Sequence, residues 1–153
     1  MAQRLWWIDE PTMAGGPNPT DDELTELRGR GFTTIVCLLD PGEQAPNYDV
    51  ERAGAAGFRR HEIPIRDFGA PTLEQIETFV RIVERFGPAS GKTLVHCEGG
   101  TGRTGTMAAA YWIARGLTAE AAIEKVRRAR PKAVEEQDQE LRLREYERRR
   151  VRP

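Results

Sequence analysis

Residues Val95 to Thr106 read VHCEGGTGRTGT, with one cysteine, one arginine and four glycines in twelve positions. The apolar KTLV leads into the segment and the alanine-rich TMAAAYWIA leads out of it. That order reads as a strand, a glycine loop and a helix, the layout of backbone cradles that hold phosphate. Two chemistries share the layout: a loop that only holds a nucleotide, and one that attacks a phosphate ester.

The dinucleotide pattern G-x-G-x-x-G is present as GTGRTG, Gly100 to Gly105. Such a site also needs an acidic residue about 20 positions on, at the end of the next strand. Here that region is LTAEAAIEK, which reads as a capped helix, and too few residues follow to complete the sheet. GPASGKT, Gly87 to Thr93, looks like a nucleotide P-loop but is one residue short between glycine and lysine. It also precedes a strand where that motif follows one, so it reads as a helix-to-strand turn. A buried structural cysteine before a flexible loop is the plainest alternative. It accounts for Cys97 but not for an arginine six positions later among glycines, where only Glu98 offers a nearby carboxylate.

Cys97 and Arg103 taken together support attack. A strand ending at His96 sets the Cys97 sulfur at the base of the loop. The N–H groups of Glu98, Gly99, Gly100, Thr101, Gly102 and Arg103 can then curl around a dianion, and the next helix adds its positive end. Arg103 returns to the rim, where its planar fork matches two phosphate oxygens. The same donors favour a thiolate, since helix N-termini and nearby cations bring a cysteine from about 8.5 to about 3.5–7.5. The Thr104 hydroxyl can donate to the sulfur and ease its later departure. Displacing an alkoxide or phenoxide also needs a proton at the leaving oxygen. Asp67 is the candidate donor, in a loop after a strand with Gly69 and Pro71; Glu62, Asp40 and Asp49 are spare carboxylates.

Outward from the loop, short β-branched runs alternate with amphipathic segments, which predicts an α/β domain. RLWWI is a first strand, and Thr20 with Glu23 forms a capping box for DDELTELRGRG, which carries Leu24 and Leu27 on one face and stops at Gly31. FTTIVCLLD reads as a strand buried on both faces, with Cys37 inside it as a small core residue or a redox partner for Cys97. A short helix over YDVERAGAAG and a strand over FRRHEIPI follow, His61 being structural. APTLEQIETFVRIVERFG is the clearest helix, capped by Thr72 with Gln75, its stripe formed by Leu73, Ile76, Val80 and Val83. Thr118 caps AEAAIEKVRRAR, Pro131 breaks the pattern, and a last helix runs from about Val134 to the tail.

The 153 residues suit one domain, residues 1–153, with a single core. A formal charge of −1 steers the molecule to neither nucleic acid nor membrane. From Ile123 to Pro153, 11 Lys or Arg face 7 Asp or Glu, and the interleaved signs read as the solvated face of a helix. No apolar run reaches the roughly 18 residues of a membrane span, and MAQRLWWIDEP lacks a secretory h-region, so a cytoplasmic location is expected. Neither His61 nor His96 has a second ligand at metal-site spacing.

HCEGGTGRTGT resembles the H-C-x5-R-[ST] signature of cysteine-dependent protein tyrosine phosphatases. HEIPIRDFGAPT is similar to the strand and general-acid loop of the dual-specificity branch, and RPKAVEEQDQE to its arginine-proline segment. With WWIDEPTMAGGPNPT near the start, the likeness covers nearly the whole chain and is greatest to small atypical, VHZ-like members. It implies a three-layer α/β fold, with a mostly parallel central sheet of about four or five strands flanked by helices. It implies Cys97 as nucleophile, Arg103 as phosphate clamp, Thr104 as the hydroxyl that aids breakdown, and Asp67 as general acid. His96 would orient the loop and help ionise the thiol, and Gln139, or Gln137 close by, would position water. No metal or other cofactor is implied. A phosphoprotein substrate is expected, phosphotyrosine before phosphoserine or phosphothreonine, hydrolysed by a monomer. A phosphoprotein-binding module without turnover and a dinucleotide-binding domain are the alternatives.

Overall fold

The computed structural model describes residues 4–86 and 88–151. Five strands form one sheet in the order β1-β2-β5-β3-β4, with β1 Trp6–Asp9, β2 Met13–Gly16, β3 Phe32–Cys37, β4 Arg59–Glu62 and β5 Lys92–His96. β1 lies antiparallel to β2; the other three pairings are parallel. Among the described residues, six helices cover the sheet: α1 Asp21–Gly29, α2 Val50–Ala55, α3 Leu73–Arg85, α4 Gly102–Ala114, α5 Ala119–Ala129 and α6 Gln137–Val151. This is the three-layer, mostly parallel α/β arrangement expected.

Local chemistry sets most of the boundaries. Thr20 with Glu23 and Thr72 with Gln75 form reciprocal capping boxes, and the Thr118 hydroxyl accepts from the Ala121 N–H. Gly31 takes φ +96 just after α1, a left-handed turn that a side chain resists. α1 and α2 pack Leu24, Leu27 and Ala53 on Phe32, Ile35 and Leu94 on one face of the sheet. The opposite face carries the larger cluster, including Ile76, Phe79 and Val80 of α3, Met107 of α4, Ile123 of α5 and Leu143 of α6. α4 is buried on nearly every side, as an alanine-rich helix at the centre of a layer must be.

Four expectations shift. MAGG, unassigned from sequence, is the strand β2. Its glycines are there for close approach, because a Cβ on Gly15 would stand 2.8 Å from both the Trp6 ring and the Thr104 methyl group. The strand expected over FTTIVCLLD ends at Cys37, and that over FRRHEIPI spans only Arg59–Glu62. α6 starts at Gln137 rather than near Val134, since Lys132 and Val134 adopt φ +76 and +57, outside helical geometry. The Arg127 guanidinium takes up the Ala133 and Val134 carbonyls at 2.9 and 2.7 Å. Gly87 of the GPASGKT turn lies outside the described residues; Pro88–Ser90 form a single 3-10 turn before β5.

Both cysteines are buried and free. Val36 and Leu38 share the larger cluster with Val95 and Cys97, so strand alternation sends Cys37 to the other face. That separation removes Cys37 as an intramolecular disulfide partner for Cys97.

Candidate active site

The parallel strands end together beneath one cleft, where Gly16 pairs with His96 and Cys37 pairs with His96 from the other side. Cys97 follows β5 directly and is 2% exposed. Its sulfur accepts the Gly100 N–H at 3.2 Å and the Thr104 hydroxyl at 3.1 Å. α4 begins at Gly102, so Arg103 and Thr104 occupy its first turn rather than the loop before it. Thr101 at the N-cap makes no side-chain capping bond. Its hydroxyl instead accepts from both Nε and a terminal nitrogen of Arg130, at 3.2 and 2.9 Å. The first amides of α4 are thus left to a ligand, at the positive end of the helix.

A cleft of about 290 Å³ opens over the sulfur, lined by Asp67, Phe68, Cys97, Glu98, Gly99, Thr101, Gly102, Arg103, Glu135 and Gln139. Of the loop residues expected to bind phosphate, Gly100 alone is not on this wall. It is buried behind it, at φ +77, where a Cβ would come within 2.6 Å of the Pro17 nitrogen.

Arg103 is 2% exposed, and both terminal nitrogens of its guanidinium have partners. Its guanidinium donates to the Ile65 carbonyl and to the Gln44 side-chain oxygen, each at 2.9 Å, and lies 3.2 Å from an Asp67 carboxylate oxygen. Gln44 also donates to the other Asp67 oxygen at 3.0 Å. The expected acid and the expected clamp therefore meet directly. The spare carboxylates are occupied elsewhere: Asp49 caps α2, Asp40 accepts from the Gly42 N–H, and Glu62 pairs with Arg60.

His96 is fully buried, and burial pushes its pKa down to about 4. A neutral imidazole brings no charge to the loop; what it offers there is its hydrogen bonds. Nδ1 lies 3.3 Å from the Cys97 carbonyl and donates to it, which leaves Nε2 to accept the Tyr48 hydroxyl at 2.8 Å. Arg60 Nε in turn donates to the Tyr48 oxygen at 2.9 Å. Burial pushes the Tyr48 phenol upward, keeping it a hydroxyl donor.

Glu98 is exposed and held away from the cleft floor by the Asn18 side chain at 3.0 Å, as its charge requires. Asn18, itself buried, also bonds the Ala45 carbonyl and the Asn47 N–H, tying two loops to the cleft wall. Gln139 is fully buried at the cleft, donating to the Gly69 carbonyl and accepting the Glu136 N–H, whereas Gln137 is exposed and outside the cleft. Sequence reasoning missed Gln44, Phe68 and Glu135. Phe68 is 63% exposed and sits at φ +64 beside Asp67, and the Glu135 carboxylate abuts Gly102. Phe68 could have been found from its place next to the candidate acid; Gln44 had no local signal.

The model of a family described as "Polymorphic toxin system, DSP-PTPase phosphatase" matches residues 11–117. The chain belongs to this DSP-PTPase phosphatase family. Among curated relatives, the mouse protein tyrosine phosphatase domain-containing protein 1 is 31% identical over 158 residues, covering 92% of this chain and 21% of its own length. The Arabidopsis phosphatidylglycerophosphate phosphatase PTPMT2 is 29% identical over 137 residues, 87% of this chain and 59% of its own. The chain thus spans about a fifth of the first curated relatives it matches. The crystal structure of Tk-PTP in its active form superposes with a TM-score of 0.88 at 36% identity, covering 97% of this chain and 99% of that one. The chain accordingly has the α/β fold of the DSP-PTPase phosphatases. Among its described residues, no helix is long and apolar enough to cross a membrane, and no group of three or more His, Cys, Asp or Glu side chains is placed to hold a metal ion.

Proposed function

We propose that the protein hydrolyses phosphotyrosine monoesters through a phosphocysteine intermediate on Cys97. The observation that carries this is a buried sulfur receiving two hydrogen bonds beneath the open amides of α4, with a buried guanidinium at the rim. Amides and guanidinium hold the three equatorial oxygens of the phosphoryl group, and the sulfur lies below the phosphorus for in-line attack. The thiolate forms the S–P bond as the ester P–O bond breaks, and Asp67 protonates the departing oxygen. Before substrate enters, Asp67 is paired with Arg103; a bound dianion takes over the guanidinium, and the released carboxylate takes up from solvent the proton that it then delivers to the departing oxygen. Asp67 then accepts a proton from the water that attacks phosphorus. The Thr104 hydroxyl stabilises the sulfur as it leaves. His96 orients the loop, and Gln139 at the cleft wall helps place the water.

Exposed Phe68 beside the cleft favours an aromatic leaving group, which supports phosphotyrosine over phosphoserine and phosphothreonine. Glu98 and Glu135 at the mouth argue against the polyanionic head group that a lipid phosphate presents. The likeness to PTPMT2 keeps phosphatidylglycerophosphate as the competing substrate.

The test is steady-state hydrolysis of p-nitrophenyl phosphate, a phosphotyrosine peptide and phosphatidylglycerophosphate by wild type, Cys97→Ser, Arg103→Lys and Asp67→Asn. The first two substitutions should abolish turnover, and the third should flatten the alkaline limb of the pH–rate profile. Tight vanadate binding without turnover by wild type would mark a binding module, and NAD binding that survives Cys97→Ser a nucleotide domain. Faster lipid than peptide hydrolysis would overturn the substrate assignment.

A further inference from the structure

The amino-terminal hairpin reaches the catalytic loop at one point. Trp6, 7% exposed on β1, donates its indole Nε1–H to the Gly100 carbonyl at 2.9 Å, across 94 residues of sequence. Gly100 also supplies the N–H that bonds the Cys97 sulfur. Two peptide planes meet at this residue, and each has one end fixed by its surroundings.

The plane that follows Gly100 contains the Thr101 N–H. In a trans peptide the C=O and N–H point in opposite directions. With the carbonyl drawn back onto the indole, the Thr101 N–H is turned forward, and Thr101 lines the cleft. Gly99 and Gly100 offer little resistance of their own to rotation of these planes, so the orientation needs an outside anchor. A second contact runs the same way. The Gly15 backbone of β2 lies between the Trp6 ring and the Thr104 methyl group, and a Cβ there would be 2.8 Å from both. Both donors to the sulfur, Gly100 N–H and Thr104 hydroxyl, therefore rest on the hairpin that carries Trp6.

We propose that Trp6 is a positioning residue for phosphoryl transfer: its indole N–H fixes the Gly100 carbonyl, so that the Thr101 N–H faces the phosphate and the Gly100 N–H stays on the Cys97 sulfur. This rests on the phosphatase mechanism given above. Loss of one buried hydrogen bond that aligns two donors is expected to cost about tenfold in the reaction.

The test compares Trp6→Phe, which keeps a ring and removes the N–H, with Trp7→Phe. Trp7 belongs to the smaller cluster, where its ring stacks on Phe32 at 6.3 Å. Trp6→Phe should melt near the wild-type temperature yet show kcat on p-nitrophenyl phosphate lowered about tenfold and vanadate inhibition weakened by a similar factor. Trp7→Phe should change neither. Wild-type kcat and vanadate affinity in Trp6→Phe, or equal losses in Trp7→Phe, would overturn the assignment. If Trp6→Phe does not fold, the wild-type indole N–H proton of Trp6 should shift in NMR spectra on vanadate binding while that of Trp7 stays; a stationary Trp6 resonance refutes the role. Turnover by wild type and its loss in Cys97→Ser show separately whether the underlying mechanism holds.

Discussion

The Asp67 carboxylate and the Arg103 guanidinium stand 3.2 Å apart at the cleft, with the Gln44 carboxamide bonded to both. Gln44 donates to the acid and accepts from the base, so it fixes their separation without neutralising either. Replacing it with alanine leaves two charged groups to find their geometry alone. Gln44→Ala should lower kcat on p-nitrophenyl phosphate by about three- to tenfold, with little change in melting temperature. Unchanged kcat would mean that the bridge has no part in turnover.

Glu135 brings a third carboxylate to the cleft, beside Asp67 and Glu98, and stands against Gly102. A negative charge there opposes an incoming dianion, although water and salt weaken the effect. Glu135→Gln should therefore lower KM a few-fold at low ionic strength and less at high salt. Loss of the alkaline limb in this variant, with Asp67→Asn retaining it, would transfer the proton-donor role to Glu135.

Phe68 holds a left-handed φ of +64, an arrangement costing on the order of 1 kcal/mol for a bulky residue, while leaving its ring 63% exposed. Packing does not account for that placement, whereas the proposed aryl phosphate substrate gives the exposed ring something to meet at the cleft. Phe68→Ala should raise KM for aryl phosphates by about three- to tenfold while leaving alkyl phosphates and global stability nearly unchanged. Equal effects on both substrate types would remove it from recognition.

His96 titrates near pH 6.5 when unfolded and near 4 when buried. Between those values the unfolded chain takes up a proton that the folded one refuses. The stability from the neutral imidazole is thus complete above pH 6.5 and declines as pH falls toward 4, by up to roughly 3 kcal/mol. Urea unfolding at pH 7 and pH 4.5 should show a larger acid loss for wild type than for His96→Asn. Parallel losses would assign the acid sensitivity to carboxylates instead.

What could be read from the chain is what local chemistry determines. The threonine caps at positions 20, 72 and 118 and the spacing of Cys97 from Arg103 lie within a few residues of the structures they specify. β2 escaped because two of its four residues are glycines, selected by the Trp6 ring and the Thr104 methyl group and not by strand propensity. Gln44 reaches Arg103 across 59 positions, and Trp6 reaches Gly100 across 94. No window of sequence contains either pair. Phe68 and Glu135 stand beside motifs that were recognised, but their bearing on the cleft depends on the Phe68 backbone and on how the segment before α6 folds back on Gly102.

Thr101 stands at the start of α4 with its hydroxyl committed to Arg130, so the helix begins without the side chain that ordinarily finishes such an end. An oxyanion lodged there completes the missing turn, making occupancy part of the architecture as well as of the chemistry. Vanadate at a hundred times its dissociation constant should add about 2.7 kcal/mol to unfolding. At that same vanadate concentration the gain should shrink in Arg130→Ala, where the threonine is released to cap its own helix and competes with the visitor.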